Sequence, residues 1–222
     1  MFKHRYLLCG LLWCIELFSM VAHNPKQNLL CIVDMSVSDI IPDRAVILEF
    51  AAIVADANFR LQNEIYHVIH HPSDIASAVH PFFKNHYIKS GLLERVEHSK
   101  STLQDAERAL LEAFPEDAYN PLLCGGDNIQ RHRLFLKQYM PHVESKLSNR
   151  MPLLVSSIRS FVRLSNPEDS FTRSESANSL EAVHSLFEEL KYYRYRYFTQ
   201  PFLADVQKNN VDGFEMESES TS

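Results

Sequence analysis

Three apolar runs rich in β-branched residues follow one another between residues 29 and 69, and the short connectors between them constrain the fold most. Residues 29–35 read LLCIVDM, residues 45–55 read AVILEFAAIVA, and residues 61–69 form the third run. A parallel crossover needs about a dozen residues or more. The loop 36–44, with Asp39, Pro42 and Asp43, and the turn Asp56–Ala57–Asn58 are shorter than that. The runs are therefore expected to pair as a three-stranded antiparallel meander. Asp34 stands near the end of the first run, and Glu49 is the only charge in the second.

Helical spacing takes over downstream. Over 102–114, Leu103, Ala106, Leu110, Leu111 and Phe114 share one face, with Ser101 or Thr102 as the cap. Residues 121–124 read as a short strand closed by the turn Gly125–Gly126, and 130–139 as a helix followed by Pro141. Residues 151–155 give a fifth strand, 156–164 a helix, and 166–175 a polar loop. Leu180, Val183, Phe187, Leu190, Tyr193 and Tyr197 then recur at three or four residues, marking a long amphipathic helix. This is an α/β order with a mixed five-stranded sheet flanked by helices. Such sheets take ligands beyond the strand ends, here near Asp34 and Gly125.

Composition narrows the function classes. A net charge of −6 argues against coating nucleic acid by charge alone, though a pocket for one short oligonucleotide needs only a few placed bases. No G-x-G-x-x-G or Walker-type loop occurs, so neither a dinucleotide cofactor nor NTPase chemistry is indicated. Cys9, Cys14, Cys31 and Cys124 form no C-x-x-C pair and read as small apolar residues. Residues 1–27 place Lys3 and Arg5 before an apolar stretch broken by Glu16, the order of a signal peptide or anchor. That suggests the secretory pathway or a membrane anchor; a mitochondrial or cytoplasmic location is the alternative. Residues 28–200 make one domain, and 201–222 an acidic tail with the composition of disorder.

Several fragments, in order, resemble the oligoribonucleases, DEDDh-type 3′–5′ exoribonucleases of ribonuclease-H-like fold. Lys89–Ser90–Gly91–Leu92 stands at the family's S-G-L turn. Cys124–Gly125–Gly126 with Phe135–Leu136 and Tyr139–Met140–Pro141 follows its G-N-S … F-L-x-x-Y-M-P run. Val155–Ser156–Ser157 stands for D-V-S-T, and Glu189–Leu190 with Tyr192–Tyr193–Arg194 for the closing E-L-x-Y-Y-R. The resemblance spans nearly the whole folded part and implies that the last two strands run parallel to the first.

It also implies a chemistry. Two divalent ions, about 3.5–4 Å apart, stabilise the attacking and leaving oxygens of a phosphodiester. Four carboxylates hold them, and a His takes a proton from the attacking water. Carried onto this chain, the first acid is Asp34, but the others fall on Ser36, His132 and Ala182, and the base on Ala177. One carboxylate does not hold two Mg²⁺ ions, and catalytic groups that act as a unit fail together, losing up to about a million-fold in rate. The chain thus reads as a catalytically degenerate member needing no cofactor. The rivals are an active 3′–5′ exoribonuclease using Mg²⁺ or Mn²⁺, and a structural partner of an active paralogue. One rebuilt metal site, Asp34 with His132 and Glu181, is a further alternative; Glu181 precedes the lost acid by one residue.

The substrate side of the family pattern falls on Ile40 and Phe82, which would wedge bases, and on Arg150, Ser156 and Ser157, which would hold a phosphate. Weak binding of short RNA or dinucleotides follows as an expectation, with no role for duplex DNA or an organic cofactor. A homodimer is implied too, although Asn149 replaces the Tyr that a partner subunit contributes, and Leu154 replaces a strand acid. Two clusters read as scaffold. His67, His70 and His71 fit a solvated edge strand that ends at Pro72. In residues 191–198, Tyr193 and Tyr197 fit the core while Lys191, Arg194 and Arg196 face water.

Overall fold

A computed structural model describes residues 29–198 except Ser73, Asp117, Tyr119, Ser170 and Ser174. The leader-like segment 1–27 and the acidic tail lie outside the described residues. Strands β1 (Leu29–Val37), β2 (Ile47–Asp56), β3 (Leu61–Val68), β4 (Leu122–Gly125) and β5 (Leu153–Leu154) form one sheet in the order β3-β2-β1-β4-β5. The pairs β1/β2 and β2/β3 are antiparallel, and β1/β4 and β4/β5 are parallel. The meander with two added parallel strands is the topology expected from the sequence. The fifth strand is shorter than the five residues expected, because only Leu153 and Leu154 pair with β4 before the chain turns into helix.

The described helices are α1 (Ile75–Ala78), α2 (Pro81–Lys89), α3 (Leu92–His98), α4 (Leu103–Ala113), α5 (Ile129–Tyr139), α6 (Pro141–Lys146), α7 (Val155–Ser165) and α8 (Ser179–Tyr197). Thr102 caps α4 through a reciprocal box with Asp105: each side chain accepts from the other residue's backbone N–H. Apolar periodicity does not mark α1 to α3. They are short, and Tyr87, Leu92 and Val96, with Val79 just after α1, pack on Leu48 as a separate small cluster.

Both faces of the sheet are covered, which is why β1 and β2 are continuously apolar. Cys31, Val33, Phe50 and Ala52 face α4 and α5, meeting Leu110 and Phe135. Leu30, Ile32, Ala51 and Ile53 face α7 and α8, meeting Ile158, Val183, Leu190 and Tyr193. Cys31 and Cys124 are free thiols on opposite faces, and burial pushes the Cys31 thiol up to about 12. Successive side chains alternate across a strand. Asp34 and Ser36 therefore continue the row of Leu30 and Ile32 toward α8 and are its half-buried members. At the end of β4 the backbone runs tight against α5: a Cβ on Gly125 would stand 2.7 Å from Ile129 Cδ1.

The outer strand is exposed over Leu61–Glu64, as a solvated edge would be, but its histidine end is covered. Residues 99–101 lie along it, with Ile69 bridging Ser101 in parallel and Ser99 Oγ donating to the Val68 carbonyl at 2.5 Å. His67 Nδ1 contacts Ser101 Oγ at 2.5 Å and His71 Nε2 contacts the Ile47 carbonyl at 2.9 Å, while His70 stays exposed. His67 and His71 thus serve separate scaffold contacts.

Candidate functional site

The parallel strands β1, β4 and β5 end on one edge of the sheet, and the N-terminus of α8 packs there. A cavity of about 100 Å³ opens at the end of β1, between β1, β2, the α2–α3 region and the start of α8. The sheet contributes Asp34, Ser36 and Glu49, the α2–α3 region His86, Tyr87 and Ser90, and the start of α8 Ala177, Asn178, Ser179 and Ala182. Such a volume is smaller than the roughly 300–1,000 Å³ of a pocket that encloses a drug-sized ligand. The Tyr87 hydroxyl fixes this end of β1, donating to the Val37 carbonyl at 3.0 Å and accepting from its N–H at 3.2 Å.

Burial pushes the Asp34 carboxyl up to about 6. A hydrogen bond from Ser179 and the Arg173 charge pull it down, and the Glu49 charge pushes it further up. Glu49, 1% exposed, is the buried acid of the site. Its Oε1 accepts from the Tyr66 hydroxyl at 2.6 Å and Arg95 Nη1 at 3.1 Å; its Oε2 accepts from the Ser179 N–H at 2.9 Å and the Ser36 hydroxyl at 3.3 Å. The sequence assigns Glu49 no role. The available signal is that a lone acid in a fully apolar strand must be paired where it is buried.

Four of the positions singled out from the sequence, Asp34, Ser36, Ala177 and Ala182, line this one cavity. His132 does not. It is buried in α5, hydrogen-bonded to the Val33 backbone, with Nδ1 unpartnered, and burial with the nearby Arg131 charge pushes its imidazole down to about 4. Glu181 does not line it either. It is exposed, and its carboxylate accepts from the Ala177 N–H at 2.8 Å and Asn178 Nδ2 at 3.1 Å while Asn178 caps α8. The rebuilt group Asp34–His132–Glu181 is therefore not assembled. One step along a helix turns a side chain by about 100°, and the helix cap occupies this one. Among the described residues no group of three or more His, Cys, Asp or Glu is placed to hold a metal ion. A pair of divalent ions does not fit the donors present, because Asp34 is the only cavity carboxylate not already filled with protein donors.

None of the residues carried over for substrate lines the cavity. Ile40 is exposed in the loop after β1, which is tied to the start of α2 by the His80 N–H donating to the Ser38 carbonyl at 2.8 Å. Phe82, in the first turn of α2, is 78% exposed. Ser156 and Ser157 open α7 past the end of β5, whereas Arg150 precedes β5, on the side where the Ser148 N–H meets the Pro121 carbonyl before β4. Arg133 orders that approach, donating to the Arg150 carbonyl at 2.6 Å, the Ser148 carbonyl at 2.8 Å and Glu144 Oε1 at 2.9 Å. With strands about 4.8 Å apart, β5 lies roughly 10 Å from β1.

A larger, shallow concavity of about 440 Å³ lies far along α8, against Phe171, Tyr192 and Tyr195. Its cations are engaged: Lys191 with Glu188 at 2.8 Å, and Arg196 with Asp169 at 2.7 Å. Hydrogen bonds from Tyr192, Arg196 and Tyr197 hold the Asp169 carboxyl down at about 2. This end of the helix is a packed scaffold, with Tyr193 buried as its spacing predicts and Tyr197 half-buried.

No protein-family model matches the chain. Curated relatives do. The oligoribonuclease of Photobacterium profundum is 34% identical over 179 residues, 78% of this chain and 97% of that protein. The oligoribonuclease of Escherichia coli K12 is 32% identical over 174 residues, 76% of this chain and 95% of that protein. The chain belongs to the oligoribonuclease family. Solved structures of exonuclease I share the fold of this oligoribonuclease-family chain. The E. coli enzyme in complex with a dA16 oligonucleotide has a TM-score of 0.56 at 15% identity, over 82% of this chain and 43% of that one. Exonuclease I from Methylocaldum szegediense gives 0.57 at 14% identity, over 82% and 43%. The chain spans less than half the length of those exonucleases, and at such identity they bear on the ribonuclease-H-like fold alone.

Proposed function

We propose that this oligoribonuclease-family chain is a non-catalytic member that holds short oligoribonucleotides weakly along the strand-end edge of its sheet. The observation that carries the reading is the state of the acids. Of the family's four metal-binding positions only Asp34 is a carboxylate, and the one other carboxylate in the cavity, Glu49, is filled by four protein donors. The substrate side keeps more of its chemistry. Ile40 and Phe82 offer apolar surface for bases, and Ser156 and Ser157 at the start of α7, with Arg150 before β5, offer donors for a phosphate.

Calorimetric titration with a 5′-phosphorylated diribonucleotide, followed by chromatography of the recovered ligand, tests both halves. The expected result is a Kd on the order of a millimolar, with the dinucleotide recovered intact. Phe82→Ala should weaken it about fivefold or more, the usual worth of one stacked base. Absence of binding would remove the RNA-holding role. The relatives' name favours a second reading, residual 3′–5′ cleavage of short RNA with Mg²⁺ or Mn²⁺, and metal-dependent mononucleotides in the recovered sample would decide for it.

A further inference from the structure

The shallow concavity of about 440 Å³ on α8 takes no part in the strand-end site. It lies at the other end of β1 from Asp34: the Tyr195 hydroxyl reaches the Asn58 carbonyl at 3.5 Å, in the turn after Asp56, and Asp56 pairs with Leu29. Its wall is aromatic and preformed. Tyr192, Arg196 and Tyr197 all donate to the Asp169 carboxylate, which fixes the Tyr192 ring, and Phe171 packs on that ring with 5.6 Å between centroids. Tyr195 stands beside them, 59% exposed. The charged groups of the groove are Lys191, Arg196 and Glu188. Asp169 holds Arg196, whereas Lys191 pairs with Glu188, an exposed residue one turn back. Exposed pairs of this kind contribute little, so Lys191 can exchange Glu188 for another carboxylate at small cost.

An occupant that fits this groove combines apolar side chains with acids, and the chain carries one. The family's closing run ends at Arg194, and the sequence continues past α8 through residues 199–222. Within that stretch Asp212–Gly213–Phe214–Glu215–Met216–Glu217 joins two large apolar side chains to three acids and no base. The nearer run Pro201–Val206 holds a single acid, Asp205. Reach is sufficient. Tyr192 precedes Phe198 by six residues, about 9 Å along a helix. Residues 199–213 can span up to about 50 Å.

We propose that residues 212–217 dock in the groove of the same chain, with Phe214 and Met216 against Phe171, Tyr192 and Tyr195 and with their acids beside Lys191. Tethering at this range gives an effective concentration on the order of a millimolar, so an affinity of that order is enough to fill the groove about half the time. The inference is independent of RNA binding at the strand-end site.

The test follows the Met216 methyl by NMR in the full chain carrying methyl-¹³C-labelled methionine, the signal being assigned with Met216→Leu. In wild type the rings should displace the methyl upfield, with nuclear Overhauser contacts to the ring protons of Tyr192 and Tyr195. Phe214→Ser, which lies outside the folded domain, should abolish the contacts and return the methyl to its position in a free peptide of residues 209–222. Lys191→Glu and high salt should each weaken the contacts, and Phe202→Ser should leave them unchanged. A wild-type methyl at the free-peptide position would overturn the proposal. So would contacts that survive both Phe214→Ser and Lys191→Glu, or that disappear in Phe202→Ser. Contacts that fade on dilution would give the groove to the tail of a second copy, and would overturn it as well.

Discussion

Replacing Asp34 with Asn should stabilise the folded chain, by an amount set by pH. The carboxyl is half-buried beside Glu49, and burial raises it from 3.8 to about 6. Each pKa unit corresponds to about 1.4 kcal/mol, so ionising Asp34 costs the folded state at most about 3 kcal/mol. The folded chain holds this proton more tightly than the unfolded chain does. The cost is therefore absent below about pH 4, grows between about pH 4 and 6, and is complete above that. Asn keeps the shape and can still accept the Ser179 hydroxyl. Urea unfolding of both proteins at pH 7.5 and pH 4 measures the difference, with EDTA and again with Mg²⁺. A gain of about 2–3 kcal/mol at pH 7.5 is expected, shrinking to about 1 kcal/mol or less at pH 4 and unaffected by Mg²⁺. Loss of stability at pH 7.5, or a gain that Mg²⁺ reverses, would mean that a cation compensates Asp34 and would refute the reasoning.

His132 titrates with the opposite sign. Its folded pKa of about 4 lies below the ordinary value near 6.5, so wild type should lose up to about 3 kcal/mol as pH falls between those values. Stability curves of His132→Leu against pH should lack that loss and expose the opposing trend of Asp34. Glu189 is fully buried and accepts from Arg159 Nε and Nη2, both at 2.6 Å, and from the Tyr193 hydroxyl at 3.0 Å. Glu189→Ala should cost about 3–5 kcal/mol in denaturant unfolding, because Arg159 is left part-buried without its anion. Thr102→Ala removes one half of the α4 capping box and should cost about 1 kcal/mol by the same assay.

Much of the fold was legible because its signals are local. The antiparallel meander follows from connectors too short for a crossover, and α8 from an apolar repeat whose members Val183, Phe187, Leu190 and Tyr193 are all buried. The helices α1 to α3 were not legible: they are short, and their apolar residues answer to Leu48 rather than to a helical period. In the site, the family resemblance named Asp34, Ser36, Ala177 and Ala182 as positions of one site, and the structure brings these four to one cavity. The meeting of Glu49 with Arg95, Tyr66 and Ser179 was not legible, because it depends on the β1/β2 register and on where α3 and α8 land. Long-range pairings of that kind leave no mark in spacing. The His132–Glu181 pairing failed for a local reason: the Asn178 cap takes the Glu181 carboxylate.

The most direct test of the non-catalytic reading is turnover of a 5′-labelled triribonucleotide by the purified full chain, free of host nucleases, with Mg²⁺ and separately with Mn²⁺. No shortened product above the protein-free blank is expected with either ion. Metal-dependent stepwise shortening that disappears in Asp34→Ala would contradict the account.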